Sequence, residues 1–238
     1  MSKTHVHDKH DYGHEYDEAY FKKVPKVLKD CHASNVIEIL LDGNHNNRIL
    51  EVGCGPGALM RLLRKKGYKH IQGIDISPVA AKLSGGIVAS ATKIPFPKQS
   101  FDTVIGLSII EHLSLREADV FLQEAFRVLK PGGFVFLLTP NGASLLKLLK
   151  GKRWYGYDDH SHTYFFTPTT LKRTLLNAGF THIRRTFRIT IDTYDWPFPW
   201  FKDSSPMVRR FINMLWVSTP LAFFRDSIFI SGTKPLRR

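Results

Sequence analysis

The chain has 238 residues, 43% apolar and 23% charged, which suits one sizeable α/β domain with embellishments and excludes a disordered or fibrous polymer. Its formal net charge of +13 is uneven: from Lys150 onward fifteen Lys/Arg face six Asp/Glu, whereas the first twenty residues carry two lysines and five acids. Two distant cysteines, Cys31 and Cys54, exclude a disulfide scaffold or a zinc ribbon; with no apolar leader in view, they point to a reducing, cytoplasmic location.

The histidines at 5, 7, 10 and 14 match neither one helix face nor a zinc spacing, and read as a polar lead-in. Helical spacing then sets in, through Tyr16 and Tyr20, through Val24, Val27 and Leu28, and through Val36, Ile37, Leu40 and Leu41. Pro25 separates two helices, and Asp42-Gly43-Asn44 ends the second. Residues 1–44 thus form a lead-in with helices that could lie over a site as a lid, and residues 45–238 form the main domain.

A short apolar run, residues 49–52, reads as a buried strand. It breaks into Gly53, Gly55 and Gly57, then resumes at helical spacing as Leu59, Leu62 and Leu63. This is the opening strand–turn–helix of a nucleotide-type site, where bare backbone and free helix N–H groups meet a ligand. Gly53, Gly55 and Ala58 also satisfy the dinucleotide fingerprint, so a hydride-transfer enzyme is an alternative. Glu51, however, places a carboxylate at the strand's end, where it suits an ammonium better than a pyrophosphate. Asp75 closes the next strand, residues 71–76, at the offset of a ribose-binding acid.

Ser77-Pro78 starts a helix that Gly85-Gly86 stops. Residues 87–89 form a third strand, 91–97 a loop, and 101–107 a fourth strand ending at the ligand crevice of an open parallel sheet. An amphipathic helix follows through Ala118, Phe121, Leu122, Ala125, Phe126 and Leu129. Lys130-Pro131-Gly132-Gly133 caps it, and residues 134–138 are a fifth strand. Alternating strands and helices argue for a doubly wound, mostly parallel sheet.

Beyond lie a short helix (145–149), a polar aromatic loop (154–162), a helix begun by Thr167-Pro168 and stopped at Gly179, a strand over 180–191 and a last strand over 227–232. Between those two strands, residues 192–226 form an aromatic and apolar insertion. Its stretch 196–224 is too short in uncharged residues to cross a bilayer, but it can lie in a membrane interface or roof an apolar pocket. The basic last third suits an anionic partner, whether phospholipid, nucleic acid or phosphorylated substrate; a generally basic surface is the plainer alternative.

Residues 50–57 (LEVGCGPG), 73–77 (GIDIS), 94–97 (IPFP) with Ser100-Phe101-Asp102, 110–113 (IEHL) and 128–133 (VLKPGG) together resemble the class I S-adenosylmethionine-dependent methyltransferases. Thr139-Pro140-Asn141, the run from His162 to Pro168, and Ala178-Gly179-Phe180 are similar to the group containing the ubiquinone-biosynthesis O-methyltransferases. The resemblance covers residues 45–190. It implies a seven-stranded Rossmann-like sheet whose last strand, 227–232, is antiparallel, with the insertion before it.

It further implies S-adenosylmethionine as cofactor, with Glu51 and the backbone of Gly53, Gly55 and Gly57 around its methionine part. Asp75 would bind the ribose hydroxyls, Ile76 would touch the adenine, and Ser108 would line the methionine side. Many relatives carry an acid toward the adenine amino group where this chain has Ser90, before Ala91; a hydroxyl accepts that hydrogen bond more weakly. The resemblance implies no metal, although a metal site built from the histidines and acids named next is an alternative. A base for an oxygen or nitrogen acceptor is sought first in His112, after the fourth strand, and then in His160 and His162 beside Asp158 and Asp159. The expected acceptor is a small molecule or lipid precursor. A nucleic-acid substrate is favoured only by charge, since the Asp/Asn-Pro-Pro-Tyr/Phe motif of amino-directed DNA methylation is absent, and a non-catalytic cofactor-binding or membrane-associated protein is the third reading.

Overall fold

The computed structural model describes residues 37, 38, 40–185, 205, 207, 208 and 226–236. Seven strands form one sheet: β1 (Arg48–Val52), β2 (His70–Asp75), β3 (Ile87–Val88), β4 (Phe101–Leu107), β5 (Leu129–Pro140), β6 (Thr181–Arg185) and β7 (Ser227–Thr233). Their spatial order is β3-β2-β1-β4-β5-β7-β6. The first five pair in parallel, and β7 runs antiparallel to both β5 and β6. This is the doubly wound sheet with one reversed strand that the motifs implied.

The central strands are apolar on both faces because helices cover both. Alternate residues diverge: Leu50 and Val104 join a cluster with Phe121, Leu122 and Phe180, while Ile49 and Ile105 join Leu59, Met60 and Tyr68 on the other side. The helices are α1 (Ala58–Lys65), α2 (Pro78–Ser84), α3 (Leu115–Val128), α4 (Leu145–Lys150) and α5 (Pro168–Asn177). Ser77 caps α2 by accepting from Ala80 N at 3.2 Å, and Ser114 with Glu117 closes a reciprocal capping box on α3.

One boundary differs from the sequence reading. Lys130–Gly133 does not cap α3; β5 starts at Leu129, which pairs with Phe101, and bulges before Phe134 pairs with Thr103. Tertiary partners hold the bulge in the sheet: Lys130 pairs with Asp102 at 2.8 Å, Gly132 N donates to Lys234 O, and Lys234 N donates to Gly133 O. Of the strand expected over 180–191, residues 181–185 are observed, and 186–191 lie outside the described residues. So do the histidines at 5, 7, 10 and 14, Cys31, most of the 1–44 lead-in, and all of 196–224 except Ser205, Met207 and Val208. Among the described residues no helix is long and apolar enough to cross a membrane.

The turn between β1 and α1 packs tightly against α2. Gly57 has φ +78°, and a Cβ there would lie 2.7 Å from Ser84 Cβ. Gly57→Ala therefore combines left-handed strain with a clash, and about 2 kcal/mol of lost stability is expected. A melting temperature lowered by about 4–8 °C in a thermal scan is the check, and an unchanged one contradicts the packing.

Candidate functional site

Every residue singled out from the sequence lies at a carboxyl end of β1–β4 or in the loops beyond β5. That is where an open parallel sheet leaves a crevice. At the tip of β1, Glu51 is buried, and its Oε2 has no hydrogen-bond partner among the described residues. Burial, reinforced by the charge of Asp75, pushes its carboxyl up to about 8, against the weaker pull of Met60 N–H and Arg61. A buried carboxylate in that state lacks a counter-cation.

Asp75, one strand over, organises the glycine turn. Its Oδ2 accepts from Gly55 N at 2.8 Å and its Oδ1 from Ser77 N at 2.9 Å. Burial raises its pKa, and those two N–H groups oppose the rise. A carboxylate has about four acceptor positions, so acceptor capacity beyond these backbone N–H groups remains for a ligand's hydroxyl. Ile76 beside it is 38% exposed, an apolar surface next to a polar one. Gly53, Gly55 and Gly57 all have positive φ, and Gly57, at the N-cap of α1, supplies no side-chain cap to that helix. Together these groups offer two acids, a glycine backbone free of side chains and an apolar contact, which suits a nucleoside bearing a cationic amino-acid tail.

Ser90 and Ala91 follow β3. The Ser90 hydroxyl pairs with Thr92 Oγ1 at 2.8 Å and accepts from Thr92 N at 3.2 Å, so it is engaged in a local turn. Ala91 is buried. Ser108 follows β4 with φ +49°, an uncommon conformation for a residue with a Cβ, and donates its N–H to Leu138 O at 2.9 Å.

The short turn after Ser108 carries Glu111 and His112. Glu111 is fully buried, and burial pushes it up to about 7 against the weaker pull of its own backbone and of the Thr139 and Ser108 side chains. His112 is held down at about 4, first by burial and then by the neighbouring His162. Its Nδ1 lies 2.9 Å from Ser161 Oγ, and Ser161 Oγ donates to Asp159 Oδ1. A hydroxyl has one proton; with that proton on Asp159, Ser161 accepts from His112 Nδ1–H, and the Ser161 and Ser108 backbone also engages the ring, working against the fall in its pKa. His162 meets His112 edge-on at 4.8 Å, and its Nδ1 lies 2.7 Å from the Gly156 carbonyl, so that nitrogen is also the donor.

The structure thus joins His112 and His162, 50 positions apart, and leaves His160 exposed at the rim of a neighbouring cavity. Glu111, His112 and His162 each offer one donor atom within 4.8 Å of the others, an arrangement in which a cation could be held. The sequence reading did not single out Glu111, Ser161 or Lys147. For Glu111 a signal existed: an acid flanked by Ile109, Ile110 and Leu113 is a candidate for burial.

Three comparisons bear on this arrangement. A family model described as a methyltransferase domain matches residues 12–184. The ubiquinone biosynthesis O-methyltransferase of Chelativorans sp. (strain BNC1) is 26% identical over 148 residues, covering 56% of this chain and 58% of the relative. The malonyl-[acyl-carrier protein] O-methyltransferase of Serratia marcescens is 28% identical over 138 residues, covering 55% and 52%. The chain therefore spans little more than half the length of these relatives. A SAM-dependent methyltransferase from Archaeoglobus fulgidus superposes with a TM-score of 0.59 at 22% identity, covering 84% of this chain and 94% of that one; this likeness concerns the fold.

Proposed function

Because the chain belongs to the class I methyltransferases, whose cofactor is S-adenosylmethionine, we propose that it moves a methyl group to an oxygen or nitrogen of a small-molecule or lipid-like acceptor. The observation that carries this reading is the pairing of Glu51 and Asp75 on adjacent strand tips around a bare glycine turn. S-adenosylmethionine supplies a methyl group on a sulfonium, transferred by in-line displacement. In our reading Glu51 receives the ammonium, the backbone of Gly53, Gly55 and Gly57 faces the amino-acid tail, and Ser108 lines its far side. Asp75 accepts from the ribose hydroxyls, Ile76 covers the adenine, and Ser90 with Ala91 borders its edge.

His112 is the base in this proposal. Its neutral imidazole takes the acceptor's proton while Ser161 and Asp159 orient the ring, and His162 with the more distant His160 belongs to the acceptor side. The relatives that methylate a ubiquinone precursor or an acyl-carrier substrate motivate an oxygen acceptor. Residues 1–44 as a lead-in and 192–226 as an insertion touching a membrane or roofing the pocket complete the proposal. Incubating the protein with methyl-labelled cofactor and a cell extract tests it: label in a low-molecular-mass or lipid fraction is expected, and label confined to nucleic acid contradicts it.

A proton accompanies cofactor binding. Glu51 is protonated below about pH 8 in the unliganded fold, and a bound cation favours its ionised form. Binding at pH 7 is therefore expected to release a proton, and affinity to climb with pH up to about 8. Titration calorimetry in buffers of different ionisation enthalpy reads this directly. Glu51→Gln should abolish the release, and a buffer-independent heat in the wild type contradicts the role of Glu51.

A further inference from the structure

Beyond β5 an open cavity of about 1240 Å³ is lined by Gly142, Lys147, Tyr157, His162 and Phe165 among others. It shares His162 with the His112 cluster, so it lies on the side where an acceptor would approach. Lys147 projects from α4 into an aromatic nest. Its Nζ is 5.2 Å from the Phe165 ring centroid, 5.4 Å from Trp154 and 5.8 Å from Tyr157. Those rings are mutually locked edge to face at 5.1–5.3 Å, and the fully buried Trp154 donates its Nε1–H to Asp226 at 2.8 Å.

Rings attract a cation but do not neutralise it. Of its three N–H donors, Lys147 gives one to the Gly142 carbonyl, a long bond of 3.3 Å, and it has no carboxylate partner among the described residues. Asp159 is the one acid on the cavity wall, and Ser161 engages it through both N–H and hydroxyl. Lys152 adds a second positive charge to the same wall. A half-buried ammonium with donors to spare, set between flat aromatic walls, suits an anion carried on a flat body.

We propose that this cavity selects an acceptor whose planar body bears a carboxylate or phosphate, and that Lys147 binds this anionic group. The inference deepens the methyltransferase reading and rests on it. With S-adenosylhomocysteine present, benzoate, phenyl phosphate and phenol are titrated against the full chain and followed by NMR. Benzoate or phenyl phosphate should bind at least about tenfold more tightly than phenol. Lys147→Met should bring that ratio close to one, and Lys147→Arg should retain most of it. Equal binding of all three probes to the wild type overturns the proposal, even if Lys147→Met does not fold. So does an unchanged ratio in a folded Lys147→Met, or a preference for tetramethylammonium, which would mark the rings as a cage for a ligand cation. Affinity for S-adenosylhomocysteine alone, measured in the same samples, separates the two failures: its loss sinks the methyltransferase reading, whereas its retention with indifferent anions sinks only this one.

Discussion

Asp75→Ala is expected to weaken S-adenosylmethionine binding by about 100-fold or more. Two effects add. The ribose hydroxyls of our proposal lose a charged acceptor, worth about 1.5–3 kcal/mol. Gly55 N and Ser77 N lose the carboxylate that now holds them at 2.8 and 2.9 Å, so the glycine turn and the start of α2 lose their common tie. Asp75→Asn keeps one acceptor oxygen and shape, and a loss of about tenfold is expected there. Calorimetry decides: affinity within about threefold of wild type for Asp75→Ala, with the fold intact by circular dichroism, would remove Asp75 from the site. A nicotinamide dinucleotide that binds where S-adenosylmethionine does not would revive the hydride-transfer alternative that the glycines leave open.

His112→Asn is expected to lower methyl transfer by about 10²–10⁴ while leaving cofactor affinity within about threefold. The imidazole is poised for base chemistry because it is neutral. Burial and His162 hold it down at about 4, so its charge appears only on acidification below about pH 5. The acid side of a kcat profile, taken at saturating cofactor, should therefore stay flat from pH 7 to pH 5, where an ordinary histidine would have lost most of its activity. Ser161 acts through His112 as a positioning residue. Ser161→Ala should cost about tenfold and move the His112 proton from Nδ1 toward Nε2, which nitrogen-15 NMR of the ring reports without any acceptor. Ser161→Thr, which restores the hydroxyl, should recover both signals. An unaltered tautomer in Ser161→Ala contradicts the relay, and full turnover in His112→Asn removes the base.

The second half of the chain shows where reading by pattern reaches its limit. The KPGG segment carries every local sign of a helix cap, yet β5 runs through it, because Asp102 and Lys234 supply partners that no local rule contains. The buried Asp226 behaves alike. It accepts from Ser144 and Trp154, 82 and 72 positions away, and fastens the aromatic loop to the start of β7.

By itself the amino-acid order determined the alternation of strands and helices, the glycine turn with Glu51 and Asp75 at its flanks, and the caps at Ser77 and Thr167; the class of cofactor came from the family resemblance that these motifs carry together. All of these are written in neighbouring residues, where φ limits, capping hydrogen bonds and apolar period act over a few positions. Tertiary structure alone decided that His112 meets Ser161 and His162 rather than His160, that Glu111 is fully buried, and that Lys147 lies within a nest of rings. Those encounters join segments up to 50 positions apart. Their geometry follows from how the loops after β4 and β5 fold over the sheet's edge, which no spacing along the chain encodes.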